Sequence, residues 1–488
     1  MGAEALKTIN THVVDILGNV KGRDQPIMML DKALNLVSQF STDIFLDKDV
    51  VFFDPFCKAG EILLACAMTS CRKQVETTRH LIDVAEIERE LYESKRYFAL
   101  APDERHHRLS LRTFLGNTHS HNEEYNHIIK NGNYLSEVDG RLDEDSFKKE
   151  FKTMIEYIKQ TSGKKKIVAV GNPPYQEADK GFGGSAKAIY NFFAEALIDN
   201  EDISEFVLVI PSRWFSAGKG VEEFRDKMIG SKEIKSIHHF KQSKEVFPTV
   251  DVLGGVCFLH YQKGFTGETL YIERGVETPV DFSKYDIVLD DPFGYPLVDK
   301  VVANWNGKFV GEVAWSRKPF AIATDYFKKN GSLKENDKNA IPCYSKRRSI
   351  LYANIKDVKK NQNKIDDWKV VIPAAYAPGS KLGVRRVALP VDQYFIIPKG
   401  YITAETYTVV ETFKTKQQAE NFCNYLKTDF ARYFLALRKL TQHIPKDRWN
   451  WVPLVDASKS WTDKELFKMF KITASEQEHI KDKLQEWS

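Results

Sequence analysis

The chain has 488 residues, of which 42% are hydrophobic and 28% charged, and its formal net charge is +4. This length exceeds one typical domain, and the composition is that of a globular protein, so two or three domains with sizeable cores are expected. The sequence shows no secretory signal and no long uncharged apolar run, which argues against a membrane protein. The small positive charge permits a polyanionic partner without requiring one.

The cysteines are scattered and lack the paired spacing of metal ligands. There are six of them, at positions 57, 66, 71, 257, 343 and 423. The first three lie close together, but no histidine or CxxC pair joins them. We therefore expect reduced thiols in a cytoplasmic protein, and no metal ion.

The amino-terminal part predicts a helix and then a strand–turn–helix unit. Gln25-Pro26 precedes apolar residues at helical spacing through Val37. The run Val50–Ala65 is an apolar strand, a tight turn and an apolar helix, with Asp54 at the strand end and Gly60 where the helix begins. An acid and a glycine in these places admit a nucleoside in α/β proteins, although any strand–turn–helix unit can look similar.

Two further strand ends follow. The stretch Tyr97–Arg105 predicts a short strand that ends in acids, and its Asp103 is suited either to hydrogen bonds from ribose hydroxyls or to capping the next helix. His127–Leu135 predicts a third strand and turn, and residues 136–165 are charged and helical in pattern.

The most informative stretch is Gly171-Asn172-Pro173-Pro174-Tyr175. It follows the apolar run Ile167–Val170, which predicts a buried strand. Two consecutive prolines can neither continue a helix nor donate to a sheet ladder, so the strand must stop there. The expected result is a rigid loop at the carboxyl end of a strand, where ligands bind in open α/β sheets.

This loop suits chemistry on an exocyclic amine. The Asn172 side-chain carbonyl and the Pro173 backbone carbonyl are acceptors that can hold both hydrogens of such an amine and free its lone pair. Tyr175 offers an aromatic face on which a base swung out of a duplex can stack. The competing interpretation is a proline turn that merely ends a strand.

The remaining strands complete an α/β pattern through residue 265. A helix is predicted from Ala186, strands at Phe206–Ile210, Ile234–Phe240 and Val252–His260, and a connection containing Val246-Phe247-Pro248. Arg213 follows a second proline turn. Alternating strands and helices predict a mostly parallel sheet covered on both faces.

Beyond residue 265 the sequence predicts a second, α+β domain with one basic face. Turn residues are denser there, and Gln417–Leu440 predicts one amphipathic helix. The basic clusters are Lys346-Arg347-Arg348, Arg385-Arg386, Arg438-Lys439 and Lys446-Asp447-Arg448.

The order of these motifs resembles that of the gamma-class DNA adenine-N6 methyltransferases of restriction–modification systems, over nearly the whole chain. Asn172-Pro173-Pro174-Tyr175 matches the catalytic motif of that family, and Asp54–Gly60 is similar to its cofactor loop, acid-Pro-x-Cys-x-x-Gly. Gln25-Pro26 stands where the family usually has Thr-Pro. Gly132-Asn133-Tyr134-Leu135 looks like the Gly-Asp-Phe-Leu element that contacts the cofactor's adenine, and Val246-Phe247-Pro248 resembles the element that packs on the target adenine.

The resemblance implies a Rossmann-like S-adenosylmethionine domain over residues 1–265 and a DNA target-recognition domain over residues 266–488. It implies that the cofactor is bound by Gln25, Pro26, Asp54, Pro55, Phe56, Cys57, Gly60, Asp103, Asn133 and Asn172. Here Asp103 substitutes for the ribose-binding acid, whose own position falls on Ala101. The catalytic residues would be Asn172, Pro173, Pro174 and Tyr175, with Tyr175 and Phe247 stacking on the base. Contacts to DNA would come from Arg213, Lys346, Arg347, Arg348, Arg385, Arg386 and Arg438.

The implied reaction is methylation of N6 of a flipped adenine in double-stranded DNA, in a bacterial or phage-infected cell. The implied partners are duplex DNA and a separately encoded restriction endonuclease, although a phage or solitary enzyme without a nuclease fits equally. Two alternatives stay open: methylation of RNA adenine or of a protein glutamine, and an inactive DNA-binding subunit with a methyltransferase fold.

Overall fold

The computed structural model describes the chain from residue 27 onward, with gaps. The described residues are 27–78, 86, 89–119, 128–136, 141–163, 166–177, 187–215, 220–248, 250, 252, 254–376, 387–439 and 443–488. Gln25, Pro26, Arg385 and Arg386 therefore lie outside the described residues. The chain divides into two compact units, Met1–Val288 and Leu289–Ser488.

The first unit is built on a nine-stranded sheet. Its strands are β1 (Val50–Asp54), β2 (Tyr97–Ala101), β3 (Ile129–Asn131), β4 (Lys166–Gly171), β5 (Ile203–Pro211), β6 (Ile234–Phe240), β7 (Val256–Gln262), β8 (Thr269–Glu273) and β9 (Val276–Val280). The strand order is β3-β2-β1-β4-β5-β7-β6-β8-β9. The pairs among β1 to β5 are parallel, whereas β7 runs antiparallel to both β5 and β6.

Helices connect these strands. They are α1 (Leu30–Val37), α2 (Thr42–Leu46), α3 (Glu61–Thr78), α4 (Glu104–His119), α5 (Glu144–Ser162), α6 (Tyr190–Asp199) and α7 (Glu222–Ser231). Strands β1 and β2 are buried along their whole length, as expected of parallel strands covered on both faces. The predicted α/β fold class is confirmed, and the β3-β2-β1-β4-β5 order is the Rossmann order, which reverses direction between β1 and β4.

A buried ion pair joins β1 and β2 to the segment before β2. The guanidinium of Arg96 donates from Nη1 to Glu90 Oε1 at 2.6 Å and from Nε to the carbonyl of Val50 at 3.1 Å. Burial alone would raise the pKa of Glu90. Hydrogen bonds from Lys48 and Tyr97, together with the Arg96 charge, outweigh burial and lower it.

The second unit contains two three-stranded sheets with orders β11-β10-β14 and β13-β12-β15. The strands are β10 (Ala340–Tyr344), β11 (Ile350–Asn354), β12 (Trp368–Pro373), β13 (Phe395–Ile397), β14 (Ile402–Thr403) and β15 (Tyr407–Phe413). The helices are α8 (Gly294–Asn304), α9 (Val310–Val313), α10 (Tyr326–Asn330), α11 (Lys416–Leu426), α12 (Asp429–Arg438), α13 (Asp463–Met469) and α14 (Ala474–Glu486). This unit has the expected α+β character.

Two sequence expectations differ from the structure. The predicted single helix over Gln417–Leu440 is two helices, α11 and α12, because the Thr428 hydroxyl accepts from the Ala431 amide and starts a new helix. The boundary expected at 265/266 lies at 288/289, since β8 and β9 extend the sheet of the first unit. No helix among the described residues has the length and apolar character needed to cross a bilayer.

Candidate active site

The predicted site residues of the first unit follow the carboxyl ends of strands that meet at one edge of the sheet. Asp54 ends β1, Asp103 follows β2, and Asn172 follows β4. β1 pairs with both β2 and β4, so these three strand ends are neighbours. The edge between β1 and β4 is the switch point of the strand order, where open α/β sheets bind ligands.

The loops after β1 and β4 touch each other. A Cβ atom on Gly171 would stand 2.9 Å from Asp54 Oδ1 and 2.9 Å from Cδ2 of Phe56, closer than real Cβ atoms come. Only glycine therefore lets β4 end directly against the Asp54 carboxyl group. That carboxyl group is held by the backbone amide of Phe56, which donates to Asp54 Oδ1 at 3.0 Å.

The loop after β3 also holds the predicted cofactor loop in place through hydrogen bonds. The hydroxyl of Tyr134 donates to the carbonyl of Pro55 at 2.8 Å, and the amide of Gly132 donates to the carbonyl of Ala101 at 2.8 Å. Asn133, between them, is exposed and has a left-handed φ of 48°. The structure thus brings Asn133 to the same edge of the sheet as Asp54.

The turn into α3 is equally constrained. The amide of Cys57 donates to the carbonyl of Leu100 at 3.1 Å, which joins this turn to β2. Gly60 has a φ of 81°, and a Cβ atom there would lie 2.9 Å from the carbonyl oxygen of Ser110. Gly60 therefore permits both the turn and the close approach of α3 to α4.

Two buried acids line this turn. Burial raises the pKa of Asp54 well above its ordinary value, with the hydrogen bond from Phe56 acting in the opposite direction and the charge of Glu61 adding to the rise. Burial likewise raises the pKa of Glu61, whose Oε1 accepts from the Met28 amide at 3.1 Å. A cationic ligand beside these carboxyl groups would favour their ionised forms.

Asp103 caps helix α4. Its Oδ1 accepts from the backbone amide of His106 at 2.9 Å, and its Oδ2 lies 2.6 Å from His106 Nδ1. Burial alone would raise the pKa of Asp103, but the contacts with His106 outweigh it and lower the pKa. The capping function weighed for Asp103 is therefore present, and its contact with ribose stays a prediction.

The Asn172–Tyr175 loop is buried and closed by local hydrogen bonds. The carbonyl of Tyr175 accepts from the Ile189 amide at 3.1 Å, and Gln176 forms a β-bridge with Ala188. Burial raises the pKa of the Tyr175 phenol well above its ordinary value, with a further contribution from Cys257. The phenol is therefore neutral near pH 7, and its hydroxyl has no hydrogen-bond partner among the described residues.

The strand ends of β5 and β6 reach the same edge, because Pro211 and Phe240 both pair with Val256 of β7. Arg213 lies in the exposed part of the short helix Ser212–Phe215. Phe247 follows β6, and only 1% of its surface is exposed. The hydroxyl of Ser243 holds this loop by donating to Val250 and accepting from Val252.

The predicted DNA-contacting residues of the second unit divide into two groups. Lys346, Arg347 and Arg348 form an exposed turn, as a DNA contact requires. The prediction for Arg438 is wrong for this conformation, because only 2% of that residue is exposed. Its Nε donates to the carbonyl of Asp447 at 2.9 Å, and its guanidinium lies 4.4 Å from the centre of the Trp451 ring.

Two residues of the candidate site, Glu61 and Tyr134, were not predicted from the sequence. Glu61 is a charged residue inside the apolar run that starts α3, and this position could have marked it as a buried acid of the candidate site. Tyr134 belongs to a predicted element, but no sequence signal indicated its hydrogen bond to Pro55, which lies 79 residues earlier.

Replacing Gly60 by alanine is expected to destabilise the first unit and to weaken binding of the predicted cofactor. The added Cβ meets the Ser110 carbonyl, and an L-residue at positive φ adds about 1 kcal/mol of strain. Gly163→Ala is the matched control, since Gly163 has a φ of 64° and nothing within 4 Å of its Cβ position. Isothermal titration with S-adenosylmethionine and thermal unfolding measure both effects, and equal losses in the two variants would contradict the role assigned to the contact.

The fold and the adjoining loops define a Rossmann-like unit with a candidate ligand site at the switch point. Residues 74–247 of this chain match the family model described as Eco57I restriction-modification methylase. The predicted resemblance to the adenine-specific methylases of restriction–modification systems is thereby confirmed.

A relative in Mycoplasma pneumoniae, described as an uncharacterized adenine-specific methylase, is 32% identical over 153 residues. The aligned part covers 30% of this chain and 35% of the relative, so the chain spans about a third of the length of that protein.

Solved structures also resemble the chain. They include the type IIL restriction-modification enzyme MmeI in complex with DNA, with 11% identity, a TM-score of 0.44, and coverage of 89% of this chain and 66% of that one. The type IIG restriction endonuclease BpuSI has 13% identity, a TM-score of 0.41, and coverage of 96% and 63%. The M protein of the type I restriction enzyme EcoKI has 16% identity, a TM-score of 0.31, and coverage of 56% and 59%.

Proposed function

We propose that this protein transfers a methyl group from S-adenosylmethionine to N6 of an adenine in duplex DNA. The observation that carries the proposal is the contact between two loops at the switch point. The Asn172 loop, suited to hold an exocyclic amine, begins at Gly171, and Gly171 lies directly against the buried Asp54 carboxyl group of the predicted cofactor loop. The proposed cofactor and the target amine would thus bind on either side of Gly171.

The residues around Asp54 fit the proposed cofactor. S-adenosylmethionine supplies an electrophilic methyl group on a sulfonium and also carries an ammonium group. The buried carboxyl groups of Asp54 and Glu61, both with raised pKa values, would gain favourable charge interactions from such a cation. Asn133, fixed beside this turn through Tyr134 and Pro55, would accept from the adenine amine of the cofactor.

Asn172 and Pro173 would prepare the target amine. The side-chain oxygen of Asn172 accepts one hydrogen of N6, and the backbone carbonyl of Pro173 accepts the other. These two hydrogen bonds favour a pyramidal nitrogen whose lone pair points away from the ring. The methylated nitrogen is cationic and releases its proton afterwards, so no strong general base is needed, in keeping with the neutral Tyr175 phenol.

The target adenine would be flipped out of the duplex to reach this loop, with Tyr175 as a stacking surface. Phe247 is buried in its own loop, so stacking on Phe247 requires the Ser243–Val252 segment to move. In a restriction–modification system, this methylation would protect DNA from a separately encoded endonuclease.

The test is methyl transfer by the purified chain from labelled S-adenosylmethionine to duplex DNA, RNA and protein acceptors in parallel. We expect label in adenine-containing duplex DNA. Label confined to RNA would reject the DNA substrate in favour of RNA adenine, and label confined to glutamine side chains would favour a protein methyltransferase. Binding of DNA without labelling of any acceptor would favour an inactive subunit.

A further inference from the structure

The second unit contains a cavity of about 970 Å³ whose charged lining residues are mostly cationic. Five lining residues are arginine or lysine, and two are acidic. The walls come from the Trp315–Arg317 segment, the Lys346–Arg348 turn, the end of β12, the turn between β14 and β15, and the residues around Lys446. A cavity of this size and charge suits part of a polyanion.

The turn between β14 and β15 fixes the shape of this cavity, because it is bonded to both small sheets. The amide of Ala404 donates to the carbonyl of Tyr344 on β10 at 2.9 Å. The carbonyl of Thr406 accepts from the Ala374 amide, just after β12, at 2.9 Å. Glu405 therefore stands between two anchored residues, and its backbone amide also donates to the carbonyl of Ile322 at 2.8 Å.

Glu405 is a buried carboxylate that holds an exposed arginine. Only 7% of its side chain is exposed, whereas 83% of the Arg317 side chain is. Arg317 Nε contacts Glu405 Oε1 in an ion pair, and the amide of Thr324 donates to Glu405 Oε2 at 3.4 Å. The Glu405 charge thus holds the guanidinium of Arg317 against the cavity wall, which reduces the conformational entropy that it loses when its N–H groups bind a ligand.

Because Arg317 is paired with the negatively charged Glu405, it is better suited to contact a neutral base edge than a phosphate. A phosphate beside Arg317 would also meet the Glu405 carboxylate, which pairs with Arg317 and lies 3.8 Å from Lys318 Nζ. Arg317 therefore attracts a phosphate less than an unpaired cation would. The O6 and N7 atoms of guanine are neutral acceptors, and an oriented arginine donates to both in the major groove. Lys346 and Arg347 are exposed in their turn and also line the cavity. Neither forms an ion pair with an acid among the described residues, so both suit phosphates instead.

Arg348 differs from Lys346 and Arg347, because its backbone amide and its guanidinium already have partners within the protein. Its backbone amide donates to the Tyr407 hydroxyl at 2.7 Å, and its guanidinium contacts the carbonyl of Asp392. The same guanidinium lies 4.3 Å from the centre of the Phe395 ring. Arg348 therefore acts as a support for the turn rather than as a reader of DNA.

We propose that Arg317, oriented by Glu405, reads a guanine of the target sequence, while Lys346 and Arg347 hold neighbouring phosphates. This inference rests on the proposed function and makes it more specific. The recognition sequence should contain a guanine whose identity depends on one arginine. Glu405 is a positioning residue, which acts through Arg317.

The experiment uses the full chain with duplexes that vary one base pair at a time around the methylated adenine. For Arg317→Gln and Arg317→Lys we expect discrimination at one guanine position to fall by about tenfold or more, because the bidentate contact is lost. Glu405→Gln should weaken discrimination at the same position. Lys346→Ala and Arg347→Ala should leave the sequence preference unchanged and reduce the slope of log affinity against log salt concentration by about one each.

Lys360→Ala is the matched control, since Lys360 is exposed in the same unit and does not line the cavity. It should change neither quantity. A wild-type chain that methylates DNA at a sequence without a required guanine overturns the inference alone. The inference is also overturned if Arg317→Gln keeps the wild-type sequence preference and reduces only the slope of log affinity against log salt concentration. A wild-type chain that methylates no DNA overturns the proposed function, and the inference with it.

Discussion

Replacing Asn172 by alanine is expected to abolish methyl transfer to adenine, with a loss of at least about 100-fold in rate. The variant removes the side-chain oxygen that would hold one N6 hydrogen as charge develops on the nitrogen, and groups placed in this way contribute effects of that size. Binding of S-adenosylmethionine should be largely spared, because the Asp54 and Asn133 loops are held by their own hydrogen bonds. Rates with labelled cofactor and calorimetric binding separate the two effects.

Asn35→Ala provides the control for this variant. Asn35 lies on helix α1 in the same unit, outside the strand-end loops, and alanine is favoured within a helix. We expect wild-type rates from it. An Asn172→Ala protein that binds cofactor and DNA yet methylates at the wild-type rate would remove Asn172 from the mechanism.

Replacing Arg96 by methionine is expected to cost about 3–5 kcal/mol of stability in the first unit. Arg96 is 1% exposed, and its loss leaves Glu90 with fewer partners and removes the donors to the carbonyls of Val50 and Phe45. Methionine keeps most of the apolar volume, so the effect reports the broken polar contacts. Hydrogen exchange of peptides from β1 and β2 in increasing urea follows this unit separately from the second.

Arg72→Met is the matched control for this change. Arg72 forms an ion pair with Glu76 on helix α3 at 2.7 Å, but its side chain is 76% exposed, and such pairs contribute at most about 1 kcal/mol. The Arg96 contribution should also depend on pH. The lowered pKa of Glu90 means that its ion pair stabilises the fold above the unfolded-state pKa, and that this stability is lost as the pH falls through the folded-state value. Equal losses for the two variants would contradict the importance of the buried pair.

The arrangement of strands followed directly from sequence because the signals were local. Apolar runs ending at Asp54, near Asp103 and at the prolines after Asn172 marked three strand ends, and parallel strands bring their carboxyl ends to one edge. The residues of the candidate site could therefore be named before their positions were known. The sequence could also indicate that the second unit was basic, because composition is itself a local property.

The features that could not be predicted from the sequence depend on contacts between residues that lie far apart in the chain. The close approach of Gly171 to Asp54 and the Tyr134–Pro55 hydrogen bond arise only once the sheet has formed. Charge alone misassigned Arg438, because burial against Trp451 and Asp447 is invisible in a run of basic residues. For the same reason Arg317, a single basic residue outside the predicted clusters, became a candidate reader only through the Glu405 carboxylate.

The most direct test of the account is the chemical identity of the methylated nucleoside. Duplex DNA incubated with S-adenosylmethionine and the full chain is digested to nucleosides and examined by mass spectrometry, with the Asn172→Ala protein in parallel. The account predicts N6-methyldeoxyadenosine from the wild-type reaction and none above background from the variant. Methylation of another base, or N6-methyldeoxyadenosine at equal levels in both reactions, would contradict it.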